Sequence, residues 1–215
     1  MSMPDVAAVD PDGILSTRLR VGTAPLHAQI EALLGLPGAV RGRQDYCRLL
    51  GRFFGLYEPL ERSFQRFGEW QDLALCPCNH SPGLSRDLLA LGTDPYRVPR
   101  TPPAMMPALP TFPHALGALY VLEGSALGGR IVLRDLELRM GQQIAGATCF
   151  LSGRGAATGP MWTSFRATLD CFGRAQPQVR GDVLIGAESV FRALLTWFAP
   201  SVTSKPNCPM SVNFP

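Results

Sequence analysis

Residues 114–136, HALGALYVLEGSALGGRIVLRDL, constrain the chain most: they read as one helix, yet they hold Gly117, Gly124, Gly128 and Gly129. Each glycine inside a helix costs about 1 kcal/mol against alanine. A face that keeps several must therefore use the missing side chains. Ala115, Ala118, Leu119, Leu122, Ala126, Leu133 and Leu136 form an apolar stripe at helical spacing that faces a core. A second line runs through Gly117, Val121, Gly124, Gly128 and Val132. Gly124 and Gly128 lie one turn apart, so the backbone on that face is bare for a full turn. Such a face serves a tight helix crossing, a kink, or something flat that lies close to the backbone.

The rest of the chain is also helical in pattern. The spacing predicts a helix over 14–34, broken near Gly22, and another over 44–67 with a kink at Pro59. A short helix follows Pro82, and the proline-rich stretch 94–113 is a connector. A glycine-rich loop over 152–159 leads to a helix over 160–173, and a last helix covers 179–198. No stretch alternates convincingly as a strand, and no repeat is visible. The expected protein is all-α with one domain over 14–198, a flexible N-terminus over 1–13 and a flexible tail over 199–215.

Composition narrows the function classes. The net charge is +3 and the charged fraction is 17%, which gives no reason to expect a nucleic-acid partner. Lys205 is the only lysine, so the cationic surface is arginine, the side chain best suited to carboxylates. The six cysteines form no repeated C-x-x-C pairs and no signal peptide precedes them, so reduced thiols in a cytoplasmic protein are expected. CPCNH, residues 76–80, is C-x-C-x-H rather than the heme-attachment pattern C-x-x-C-H, and reads as a loop with incidental cysteines. No apolar run reaches the ~20 residues of a membrane span.

The stretch LRVGTAPLHAQIE, residues 19–31, places His27 and Glu31 one turn apart on a helix. A metal-bound histidine commonly gives its second ring N–H to a carboxylate, which fixes the tautomer. An ordinary surface His–Glu pair has the same spacing. Arg20 lies two turns earlier, about 10 Å along the axis. A planar macrocycle could put its metal on His27 and a carboxylate on Arg20. His114, beside Pro113 at a helix start, has a capping or surface role.

Together these stretches resemble the heme oxygenases. The segment around His27 is similar to their proximal helix, and GALYVLEGSALGG to their distal helix, especially in the bacterial, phytochrome-associated branch. DLLALG (87–92) and FLSGRG (150–155) follow in the expected order, so the resemblance covers about Leu15 to Phe198. It implies a helical bundle with heme between a proximal helix and a kinked, glycine-rich distal helix. It implies His27 as the iron ligand, Glu31 as its partner and Arg20 at a propionate. Gly124 and Gly128 would leave room for heme and O2, with Ser125 beside them. Tyr120 and Arg166 are weaker propionate candidates. Phe191 and Phe198, at the spacing of the last helix, are candidates both for a heme wall and for the core.

The implied activity is oxidative cleavage of heme, both cofactor and substrate, to biliverdin, CO and iron. It uses O2 and electrons from a ferredoxin or flavoprotein reductase. A bacteriophytochrome is a candidate biliverdin acceptor. One departure matters: many members carry an aspartate in the distal helix, and none stands between Gly124 and Arg130. Proton delivery would then rest on waters, backbone groups, Arg130 or Glu123. A non-catalytic heme carrier or sensor is the alternative. A di-iron carboxylate protein is disfavoured, because Glu58 and Glu61 form a pair without any E-x-x-H. Gly128→Ala is expected to impair oxygen chemistry, and Gly117→Ala, about 16 Å away along the helix, to leave it nearly intact.

Overall fold

A computed structural model describes residues 14–77 and 80–199. Among the described residues there are seven α-helices and no strand: α1 Leu15–Leu34, α2 Arg43–Phe64, α3 Ser81–Ala90, α4 Phe112–Met140, α5 Cys149–Ser152, α6 Thr158–Ala175 and α7 Arg180–Phe198. The all-α expectation holds. Residues 1–13, Cys78, Asn79 and the tail from Pro200 lie outside the described residues, and with them the expectations for both termini and part of the CPCNH loop.

The helix ends are held by specific partners. The backbone N–H and hydroxyl of Ser16 donate to the Asp170 carboxylate at 2.7 and 3.0 Å, which satisfies a first-turn donor of α1 and ties it to α6. Gly35 closes α1 in the left-handed region, with φ 55°, and returns its N–H to the Glu31 carbonyl. Contrary to the sequence expectation, α1 is not broken at Gly22. The helix continues, and Leu184 of α7 occupies the place of the missing side chain, 2.7 Å from a Cβ built there.

Pro59 explains how the proline-rich connector docks. It has no N–H to offer the Gly55 carbonyl one turn back. Thr101 of the connector supplies one instead, at 2.9 Å. The approach needs Gly55, since a Cβ there would lie 2.4 Å from the Pro99 carbonyl oxygen.

Asp87 of α3 joins two of the quoted motifs. Its carboxylate accepts the backbone N–H groups of Cys149 and Phe150, both at 2.8 Å, and so caps α5. Burial pushes its acidity down, and those N–H groups oppose the shift. Asp87→Ala is expected to cost about 3 kcal/mol, since bonds to a charged acceptor contribute roughly 1.5–3 kcal/mol each before relaxation. Urea unfolding measures this, and a change under 0.5 kcal/mol would refute the cap.

α7 is the common support, packing most extensively on α4 and next on α1. At the α4–α7 crossing the backbones nearly touch. A Cβ on Gly117 would sit 1.9 Å from the Val183 carbonyl oxygen, and one on Gly186 would sit 2.0 Å from that of His114. α4 is long and apolar enough to cross a membrane by length and composition, contrary to the sequence expectation, but half of its apolar stretch is buried inside the bundle. That is the position of a core helix.

Candidate heme site

His27 projects from α1 with its side chain 56% exposed. Its Nδ1 lies 3.4 Å from the Glu31 carboxylate, and its ring meets the edge of Phe191 at 5.7 Å between centroids. The pair is exposed, so it adds little stability. Its effect is orientation: with Nδ1 turned to the carboxylate, Nε2 is the nitrogen left to carry a lone pair. Phe191 is buried in the core and gives the imidazole a fixed wall. Phe198, the other aromatic candidate on α7, packs instead against Phe53 and the Arg52 guanidinium of α2.

α4 runs without interruption through its four glycines, and they have different surroundings. Gly117 serves the α7 crossing, which is the plain packing role. It therefore cannot be the harmless control position expected from the sequence. Gly129 lies against Leu151, its Cβ position 3.2 Å from the carbonyl oxygen. A Cβ on Gly124 would touch the Trp162 ring at 3.5 Å. A Cβ on Gly128 meets no atom within 4 Å, and Gly128 is exposed. Ser125 turns to the other side, donating to the Leu122 carbonyl at 2.7 Å and lying 3.4 Å from the Tyr57 hydroxyl.

A cationic rim adjoins Gly124. Burial makes the Tyr120 phenol harder to ionise, while the nearby positive charges of Arg20 and Arg166 favour ionisation. Arg20 from α1 and Arg166 from α6 are thus brought to one tyrosine of α4. Trp162 completes the group: it stands 5.3 Å from Tyr120, stacks on Phe165 at 5.9 Å and lies beneath the Arg166 guanidinium. Sequence reading missed Trp162. Its one signal was its position a helical turn before Arg166.

Sequence reading did not foresee the burial of His80, which stands beside Tyr57 at 5.5 Å and Phe150 at 5.8 Å. Its backbone N–H and that of Ser81 donate to Glu61. Burial lowers the imidazole to about 4; Glu123 opposes the shift and Arg154 adds to it. Between pH 6.5 and about 4 the unfolded chain binds the His80 proton and the folded one does not. Stability must therefore fall as pH drops through that window, by about 3 kcal/mol if the shift is fully expressed. Urea midpoints from pH 7 to 4 read this, and His80→Gln should flatten the profile. An equal slope in both proteins would refute it.

The site has the chemistry for heme. Among the described residues no three His, Cys, Asp or Glu side chains converge on a metal position. A single imidazole suits a metal that brings its remaining ligands with it, and the bare backbone at Gly128 suits a flat one. Arg20 and Arg166 match carboxylate substituents. Two cavities, of about 650 and 350 Å³, lie elsewhere, beside Glu61 and Trp70 and beside Ser63 and Met106. His114 caps rather than ligates, its Nδ1 lying 2.8 Å from the Thr111 hydroxyl.

No curated protein matches the sequence. Among solved structures the chain is similar to the heme oxygenase from Leptospira interrogans, with 20% identity over 86% of this chain and 98% of that one, at a TM-score of 0.66. It is also similar to the NO- and CO-bound heme oxygenase from Neisseria meningitidis, with 18% identity over 92% and 98% and a TM-score of 0.64. At such identities the likeness shows the fold. The family model described as heme oxygenase matches residues 14–200, nearly the whole described chain, and the chain belongs to the heme oxygenase family.

Proposed function

We propose that this protein cleaves heme oxidatively to biliverdin, CO and iron, with O2 and electrons from a ferredoxin or flavoprotein reductase. The observation that carries this reading is the contrast along α4: Gly117 and Gly129 are closed by neighbouring backbone, while a Cβ on Gly128 would enter open space. Packing therefore does not account for Gly128. Heme would supply oxygen activation at its iron and would itself be the substrate. His27 would hold the iron through its Nε2, with Glu31 and Phe191 fixing the ring's orientation. Arg20 and Arg166 would bind the heme carboxylates beside Tyr120. Gly124 and Gly128 would let the α4 backbone approach the macrocycle, which would position the reacting groups. Biliverdin acceptance by a bacteriophytochrome and a cytoplasmic location accord with the branch resembled.

Hemin titration followed by reduction in air tests this. A Soret band and then biliverdin absorption are expected. A stable heme complex without biliverdin would favour a carrier or sensor, the reading to which the lack of an aspartate between Gly124 and Arg130 lends weight. No Soret band would end both.

Gly128→Ala separates steric need from packing. Alanine is the better helix former by about 1 kcal/mol, so the variant is expected to be at least as stable as the parent. Hemin uptake should persist while biliverdin yield falls. Gly181→Ala, also with no atom within 4 Å of the new Cβ, replaces Gly117→Ala as the control. Parental turnover by Gly128→Ala would show that the distal face is misplaced.

A further inference from the structure

A helix face without side chains cannot be gripped on that face. Apart from the Trp162 ring beside Gly124, the Gly124–Gly128 segment is held from behind, and α4 is held there just before Gly124. The Glu123 carboxylate is buried, 8% exposed, and receives both Arg154 guanidinium nitrogens at 2.8 and 3.2 Å. Arg154 follows α5, and its backbone N–H donates to the Thr158 hydroxyl at 3.1 Å, which ties it to the start of α6. The Leu122 carbonyl accepts the Ser125 hydroxyl, and its field acts on the buried His80 imidazole. His80 is fixed in turn by the Glu61 carboxylate of α2. Glu123 is thus tied through Arg154 to the start of α6, Leu122 lies by His80, which Glu61 of α2 holds, and Gly124 follows at once.

We infer that Glu123, clamped by Arg154, and His80, held by Glu61 and buried beside Tyr57 and Phe150, are positioning residues that set how closely the Gly124–Gly128 backbone lies over heme. None of them lies on the bare face. They act on oxygen chemistry through the height and rigidity of α4. A two-point ion pair on a buried carboxylate is suited to fixing that height, because it tolerates little displacement and breaking it leaves the buried Glu123 charge unpaired. The inference rests on the heme-cleaving reading for its consequence, but its mechanical part stands on the heme-free protein.

The test uses Arg154→Ala, Arg154→Lys and the nearly isosteric Glu123→Gln, which covers the case in which Arg154→Ala does not fold. In heme-free protein, amide exchange over residues 122–130 is expected to quicken about tenfold in Glu123→Gln and more in Arg154→Ala, with residues 115–120 unchanged as the internal reference. Arg154→Lys should fall between, because one ammonium cannot reproduce the paired contact. In hemin-loaded protein, uptake should stay within about threefold of parental while biliverdin per heme falls about fivefold. The infrared band of CO bound to the reduced complex should broaden, reporting a less defined distal backbone. Parental exchange over 122–130 would overturn the inference, as would faster exchange with unchanged CO band and yield. If the parent itself binds no hemin, the functional reading fails, and the exchange data still decide whether the clamp holds the segment.

Discussion

Replacing Gly117 by alanine is expected to cost the fold about 3 kcal/mol or more, a large part of what a domain of this size possesses. The new methyl would lie 1.9 Å from the Val183 carbonyl oxygen and 2.8 Å from the Ala187 nitrogen. Neither can swing aside, because both belong to the backbone of α7. The two helices must separate or tilt along their whole contact. Gly186→Ala strikes the same crossing from the other side, so the two effects should fall well short of additive in the double variant. Urea midpoints and thermal scans of the three heme-free proteins measure this. A Gly117→Ala protein within 0.5 kcal/mol of the parent would show that the helices do not meet backbone to backbone.

His27→Ala is expected to act in the opposite way, sparing the fold and removing function. The side chain is exposed and its main contact is the edge of Phe191, so stability should change by less than about 0.5 kcal/mol. Biliverdin formation should drop by about 100-fold or more, since mutating even the outer partners of a metal's ligand costs about 10–100-fold. The Soret band of the hemin complex should shift, and added imidazole should restore part of both. An unchanged spectrum would mean that another group ligates the iron. The other histidines are poorly placed for that: His114 is engaged with Thr111, and His80 is buried against the Leu122 carbonyl.

These two variants mark what the sequence discloses and what it hides. Helical spacing located every long helix to within a few residues, because amphipathic periodicity depends only on the local chain. The His27/Glu31 pair was legible for the same reason, since one turn of helix sets its geometry. The role of each glycine was not legible. Gly117 and Gly128 look alike in sequence and differ only in whether α7 happens to cross there. Gly22 looked like a helix break because nothing local announces Leu184, more than a hundred residues away. His80 sat in a segment rich in cysteine and proline, and its burial depends on α2, α4 and α5 converging. Trp162 went unnoticed because its neighbours Tyr120 and Gly124 lie on another helix.

Because α1 and α4 both rest on α7 rather than extensively on each other, their relative placement behaves as a lever system with one fulcrum. Gly128 stands eleven residues from the Gly117 crossing, about 16 Å along the helix. A tilt of only about 4° at the crossing would move Gly128 by about 1 Å, a displacement large enough to matter for positioning. Among the described glycines the closest approach thus lies remote from the bare face, and small repacking on α7 near Val183 or Ala187 would move Gly128 without touching any residue of the proposed heme site. Variation in substrate handling among relatives of this chain would then trace to the fulcrum as readily as to the pocket.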